Sequence, residues 1–204
     1  MILNTVMRLI LSTQNPSKAL QIQTLLNIPE LEVITLAELD IHDDVEENGT
    51  TLEENAAAKA LFAYEKIGGY CIGEDTGLYI DTLDGRPGIH AKRWAGENTT
   101  TEEIRDFTLE QLRNVPFEKR TATFKTVAVL MTPDGSRHVF NGEKAGHILE
   151  TPRMECQPAM PYSALFQPLG ESRTWVEMST EEENAISHRG IAIRALRDFI
   201  LKRI

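Results

Sequence analysis

An α/β chain, bordering on α+β, with a mixed β-sheet flanked by helices is what this sequence predicts. Three observations predict it. Apolar runs of strand length recur at Val6 to Leu11, Leu31 to Leu36 and Thr121 to Met131. Segments with apolar residues at helical spacing stand between them. Three of these segments open on the capping pattern Ser/Thr-x-x-Glu, at Thr51 to Glu54, Thr100 to Glu103 and Ser179 to Glu182. Strand and helix signals intermix without a repeat, a low-complexity tract or a linker, so residues 1–204 read as one domain.

Taken in order, Val6 to Leu11 feeds Ser12-Thr-Gln-Asn-Pro-Ser-Lys18, where Asn15 suits an N-cap and Pro16 a first helical position. Ala19, Ile22, Leu25 and Leu26 continue a helix that Pro29 closes. After the strand at Leu31 to Leu36 comes an acidic loop, His42 to Gly49, and then an alanine-rich helix from Thr51 to Gly68-Gly69. Cys71 to Gly77 reads as a strand edge running into a turn, with Leu78 to Ile80 extended beyond it. Asp84-Gly-Arg-Pro-Gly88 is a glycine-proline loop, and Ile104, Phe107 and Leu112 mark a helix face. Thr121 to Met131 is the strongest strand signal, with Pro133-Asp-Gly135 turning it into Arg137 to Asn141 and Gly142 to Leu149 available to pair. One long helix is expected after Ser179, with Ile186, Ile193, Leu196 and Ile200 on one face.

Composition narrows the function. Hydrophobic residues make up 41% and charged residues 25%, with 9 Pro and 13 Gly, which is ordinary globular usage. The net charge of −10 opposes binding of a nucleic-acid polymer, because such a surface cannot neutralise a phosphate backbone. A small phosphate ligand needs only local positive potential. Two cysteines, Cys71 and Cys156, at no metal-type spacing fit a reducing cytoplasm. The opening Met1 to Leu11, with Arg8 inside it, is too short to span a membrane and reads as a leader plus a first strand.

Three constellations could carry chemistry. Thr13-Gln-Asn-Pro-Ser-Lys18 puts a lysine at a helix start, where backbone N–H groups and the helix dipole favour an anion; a merely capped helix with a solvent lysine has the same look. Glu46, Glu47, Glu74 and Asp75 offer carboxylates from two separated loops, the pattern of an oxygen-ligand Mg²⁺ site. Asp43-Asp44 beside them reads as a solvated acidic turn. Glu74-Asp75, at the edge of an apolar strand, requires a cation or a partner. Ser187-His188-Arg189 interrupts the apolar spacing of the last helix, either as a buried histidine with a paired arginine or as donors aimed at a base or phosphate.

Five segments in this order resemble the inosine triphosphatase (XTP/dITP diphosphatase) family. They are Ser12 to Lys18; Glu46 to Lys59; Glu74-Asp-Thr-Gly-Leu78 with Asp81; Gly85-Arg-Pro-Gly-Ile89 running to Trp94-Ala-Gly96; and Asn184 to Gly190. The resemblance implies an elongated fold of two lobes with a central cleft, a homodimer, and hydrolysis of ITP, XTP and dITP to the monophosphate and pyrophosphate. It further implies that Thr13, Gln14, Asn15, Pro16, Ser17 and Lys18 cradle the triphosphate. Glu46 and Asp75 would hold Mg²⁺, with Asp75 also the general base, and Lys59, Thr76 and Lys92 would add phosphate contacts. His188 and Arg189 would face the purine.

The base-reading segment departs from the family. Its Gly-Phe-Gly-Tyr-Asp-Pro stands here as Ala159-Met-Pro-Tyr-Ser-Ala164, so Met160, Tyr162 and Ser163 occupy base-reading positions and an acceptor carboxylate has become Ser163. The lysine before Asn-Ala-Ile-Ser-His-Arg is Glu183. Active hydrolysis with a shifted base preference is the reading these residues favour, and a non-catalytic nucleotide binder is the alternative.

Overall fold

The computed structural model of the protein describes residues 6–43 and 45–203. Asp44 and the first residues of the expected leader therefore lie outside the described residues. The elements are β1 (Met7–Ser12), α1 (Pro16–Leu25), β2 (Leu31–Thr35), α2 (Leu52–Ile67), β3 (Tyr70–Ile80), β4 (Pro87–Gly88), α3 (Thr101–Gln111), β5 (Thr121–Met131), β6 (Arg137–Ile148), β7 (Phe166–Pro168), α4 (Thr180–Ile186) and α5 (His188–Leu201). The strands hydrogen-bond in the order β2-β1-β3-β5-β6-β7, with β4 paired to β3. β1 is parallel to both β2 and β3, whereas β3–β4 and β6–β7 are antiparallel, so the sheet is mixed.

Two compact units divide the chain: Met1–Asp75 with Thr126–Gly142 and Arg189–Ile204, and Thr76–Lys125 with Glu143–His188. In the first unit, Leu9 and Leu11 of β1, Ile22 of α1 and its C-cap Leu26, Ile72 of β3 and Leu130 of β5 bury against Ile193, Leu196 and Ile200 of α5. Leu9 to Leu11 of β1 is the continuous apolar run of a strand covered on both faces. In the second unit, Leu78, Ile80, Phe124, Ile148, Phe166 and Trp175 form the core.

All three capping boxes form. Thr51, Thr100 and Ser179 each accept from the backbone N–H three residues on, and the glutamate there reaches back to the cap. A fourth, Thr174 with Glu177, closes a short 3₁₀ turn at Trp175–Glu177 that carries no sequence periodicity.

Three expectations are corrected. Cys71 to Gly77 makes no turn, because β3 runs unbroken through it. Its glycines are sites of close approach: a Cβ on Gly73 would overlap the Ala56 carbonyl of α2, and one on Gly77 would lie 2.8 Å from the Gly88 oxygen of β4. Gly142 to Leu149 is no separate strand but continues Arg137 to Asn141 as β6, which is hydrogen-bonded to β5 and, at Gly146 to Ile148, to β7. The last helix is two helices. Ser187, at φ −75° and ψ 157°, ends α4 in extended conformation and stands where the N-cap of α5 belongs.

Candidate active site

The first unit concentrates the charge. Ser12 ends β1, and Asn15 caps α1 by accepting on Oδ1 from the N–H groups of Ser17 (3.0 Å) and Lys18 (3.2 Å). Pro16 has no N–H, the Ala19 N–H bonds to the Asn15 carbonyl, and the Asn15 N–H bonds to Thr13 Oγ1. Every amide of the first turn is therefore committed within the chain. The helix dipole and the Lys18 ammonium supply positive potential at this tip. Gln14 turns outward and donates to the Asp43 carbonyl.

The Lys18 ammonium lies 2.7 Å from Glu74 Oε2, and the Glu74 side chain is fully buried. Burial pushes Lys18 down from the ordinary lysine range, and Glu74 works against that shift. On its other oxygen Glu74 accepts from Arg189 Nε (3.1 Å) and from the Thr126 hydroxyl (3.4 Å). Arg189 also donates to Gln21 Oε1. A buried carboxylate persists when its lone pairs are met in this way.

Asp75, next on β3, is held by α2. Lys59 Nζ lies 3.0 Å from Asp75 Oδ1, 2.6 Å from Glu47 Oε1 and 3.3 Å from the Glu74 carbonyl. Burial depresses Lys59, but Asp75 and Glu47 outweigh it and the net shift is upward. Asn55, one turn before Lys59, donates to Asp75 Oδ2 at 3.2 Å while its own oxygen accepts from Gly49 N–H at 2.9 Å. That second bond fixes which end of the amide faces Asp75. Gly73 permits the whole arrangement, because any larger residue would meet Lys59 Cβ at 2.7 Å.

Of the residues predicted from the sequence, the structure brings Lys18, Lys59 and Asp75 together in this unit. Glu46 is exposed and bonded to Asn48, and it is Glu47 that reaches Lys59. Arg189, expected to face the purine, is turned on Glu74 and Gln21. Glu47 stands among the candidate carboxylates of the sequence, whereas Asn55, Gln21 and Thr126 were missed. Two of them carried a signal: Asn55 sits four residues before Lys59 and Gln21 three after Lys18, spacings that share a helix face.

The second unit holds the remaining candidates. The Ser163 hydroxyl donates to the Met160 carbonyl and accepts from Gln157 N–H, both at 2.8 Å, which ties the altered segment into a compact loop. Tyr162 is buried, donates to the Ala91 carbonyl at 2.8 Å and has its phenol pushed up by burial. His188 stacks on Phe124 with centroids 4.6 Å apart, and Glu183 is buried on α4. Thr76 is half-buried on β3, and Lys92 is exposed on the turn Ala91–Arg93.

Among the described residues no group of three or more His, Cys, Asp or Glu side chains is placed to hold a metal ion unaided. A hard divalent cation does not require one, since one or two carboxylates suffice when phosphate oxygens complete the shell. Asp75 and its neighbours offer only oxygen donors among the acids, the set such a cation prefers.

The sequence pattern of the Ham1 family matches residues 9–199. The chain belongs to the Ham1 family. A dITP/XTP pyrophosphatase of Caldanaerobacter subterraneus subsp. tengcongensis is 42% identical over 200 residues, covering 97% of this chain and 98% of that protein. A HAM1 protein from Coxiella burnetii superposes with a TM-score of 0.84 at 33% identity, covering 96% of this chain and 99% of that one. The Staphylococcus aureus Ham1 protein gives 0.83 at 31% identity, covering 97% and 100%. As a Ham1 chain the protein has the mixed α/β fold expected of it.

Proposed function

We propose that this Ham1-family chain hydrolyses purine nucleoside triphosphates of the dITP/XTP class to the monophosphate and pyrophosphate, removing non-standard nucleotides from the pool. One observation carries the reading: two adjacent acids on β3, Glu74 and Asp75, each bear a lysine from a different helix. Two half-buried ammonium groups midway along one strand suit a polyphosphate, and a carboxylate beside them suits activation of water.

In this reading Asp75 orients a water and takes its proton as the water oxygen bonds to the α-phosphorus. The bond from that phosphorus to the bridging oxygen breaks, and pyrophosphate leaves with the pair. Lys18 and Lys59 offset the charge that gathers on the departing oxygens. A divalent cation, Mg²⁺ by its hardness, would bind Asp75 together with Glu46 or Glu47 and polarise the phosphoryl oxygens. Thr13 to Ser17, Thr76 and Lys92 are proposed phosphate contacts; Met160, Tyr162, Ser163, Glu183 and His188 are proposed to set base preference. Arg189 is proposed to serve the phosphate side.

Residues 1–204 are proposed to act as one catalytic domain, as a homodimer in the cytoplasm, with no nucleic-acid or membrane partner. Among the described residues no helix is long and apolar enough to cross a membrane.

The test is a panel of ITP, XTP, dITP, ATP, GTP and modified pyrimidine triphosphates with Mg²⁺, scored for pyrophosphate. Release from ITP, XTP and dITP is expected. Saturable binding without release from any of them points to a nucleotide binder and ends the catalytic reading.

A further inference from the structure

Gln21 and Arg189 form a linkage behind Lys18. Arg189 donates through Nε to Glu74 Oε1 and through a terminal nitrogen to Gln21 Oε1. Glu74 Oε2 takes Lys18. Lys18 and Gln21 stand three residues apart on α1, so the bonds close a ring that leaves the helix at Lys18, crosses β3 at Glu74, passes the first turn of α5 at Arg189 and returns at Gln21. Gln21, Glu74 and Arg189 are each at least nine-tenths buried.

We propose that Gln21 and Arg189 are positioning residues for Lys18, acting through Glu74; this rests on the phosphate role given to Lys18 above. A lysine has four rotatable bonds and one flexible charge, and it finds a phosphate productively only if something settles it beforehand. Glu74 does so with one oxygen. That oxygen stays aimed at Lys18 because the other is held by the planar guanidinium, and the guanidinium is held in turn by Gln21. An ammonium has three donors, so one bond to Glu74 leaves two for phosphate oxygens.

Gln21→Met removes the acceptor at similar volume, and Gln21→Glu keeps an acceptor oxygen at the same place. Three readouts separate positioning from structure: kcat and KM with dITP, the affinity for pyrophosphate with Mg²⁺ by calorimetry, and the melting temperature. Gln21→Met is expected to raise KM and weaken pyrophosphate binding by about tenfold, the loss of one bond to a charged group. Its kcat should stay within about threefold, and Gln21→Glu should restore both binding values. The proposal is overturned if Gln21→Met binds pyrophosphate like the wild type, or if Gln21→Glu loses as much as Gln21→Met. Should Gln21→Met fail to fold, Arg189→Lys keeps the charge but loses the two-point fork, and wild-type pyrophosphate affinity in that variant overturns the proposal equally. A wild type that binds pyrophosphate but turns over no nucleotide removes the catalytic reading and leaves this test intact.

Discussion

Asp75 is bonded on both oxygens, by Lys59 on one and Asn55 on the other, and both donors keep it aimed. Asp75→Asn keeps the shape but loses the base and the charge. It should lower kcat for every nucleotide by about 10²–10⁴ with the circular dichroism spectrum unchanged; turnover near the wild-type rate would remove Asp75 from that role. At this scale the sequence was partly legible. Lys18 and Asp75 drew notice as a lysine at a helix start and an acid beside an apolar run, whereas Lys59, inside α2, was named only through the family resemblance. Glu46 and Glu47 could not be told apart, since adjacent loop residues differ only in which way the backbone turns them, and no periodicity records that. Arg189 was read as pointing elsewhere because its partners, Gln21 and Glu74, lie far away in sequence.

Single elements expose a second kind of limit. Gly73 and Gly77 look like turn formers, yet β3 passes straight through both, because what they supply is the absence of a side chain where α2 and β4 come near. Gly73→Ala is expected to cost about 1–3 kcal/mol and to lower activity together with stability. Denaturant titration and dITP turnover check it, and an unperturbed variant would mean that α2 does not bear on Gly73. The β5–β6 hairpin carries a pH dependence of its own. Asp134 accepts from the Thr132 hydroxyl (2.5 Å) and the Ser136 N–H (3.0 Å), which lower its carboxyl from 3.8 to about 2. A lowered acid stabilises the fold above its unfolded value, and that contribution disappears as pH falls from near 3.8 toward 2. Melting temperatures of the wild type and Asp134→Ala should differ at pH 5 and converge near pH 2; a constant gap would assign the turn's stability to something other than ionisation. Capping boxes were the most legible feature, being local and governed by four residues. The break at Ser187 was hidden because its flanks hold helical spacing on either side.

For the molecule as a whole, class and strand content followed from apolar runs and their spacing. The division into two compact units did not, because β3, β5 and β6 each pass from one to the other without a linker. The net charge of −10 is also a property of the whole, and against it the pairing of Lys18, Lys59 and Arg189 with buried acids marks one neighbourhood where cations gather. Since Asn15 and its neighbours already occupy the amides at the tip of α1, a polyphosphate there is met by ammonium groups. Ammonium attraction is radial and takes no notice of what links one phosphorus to the next. Analogues bridged by methylene or imido groups should therefore compete with dITP about as well as one another, and inhibition constants that differ widely between them would show that something in the protein does inspect the bridge.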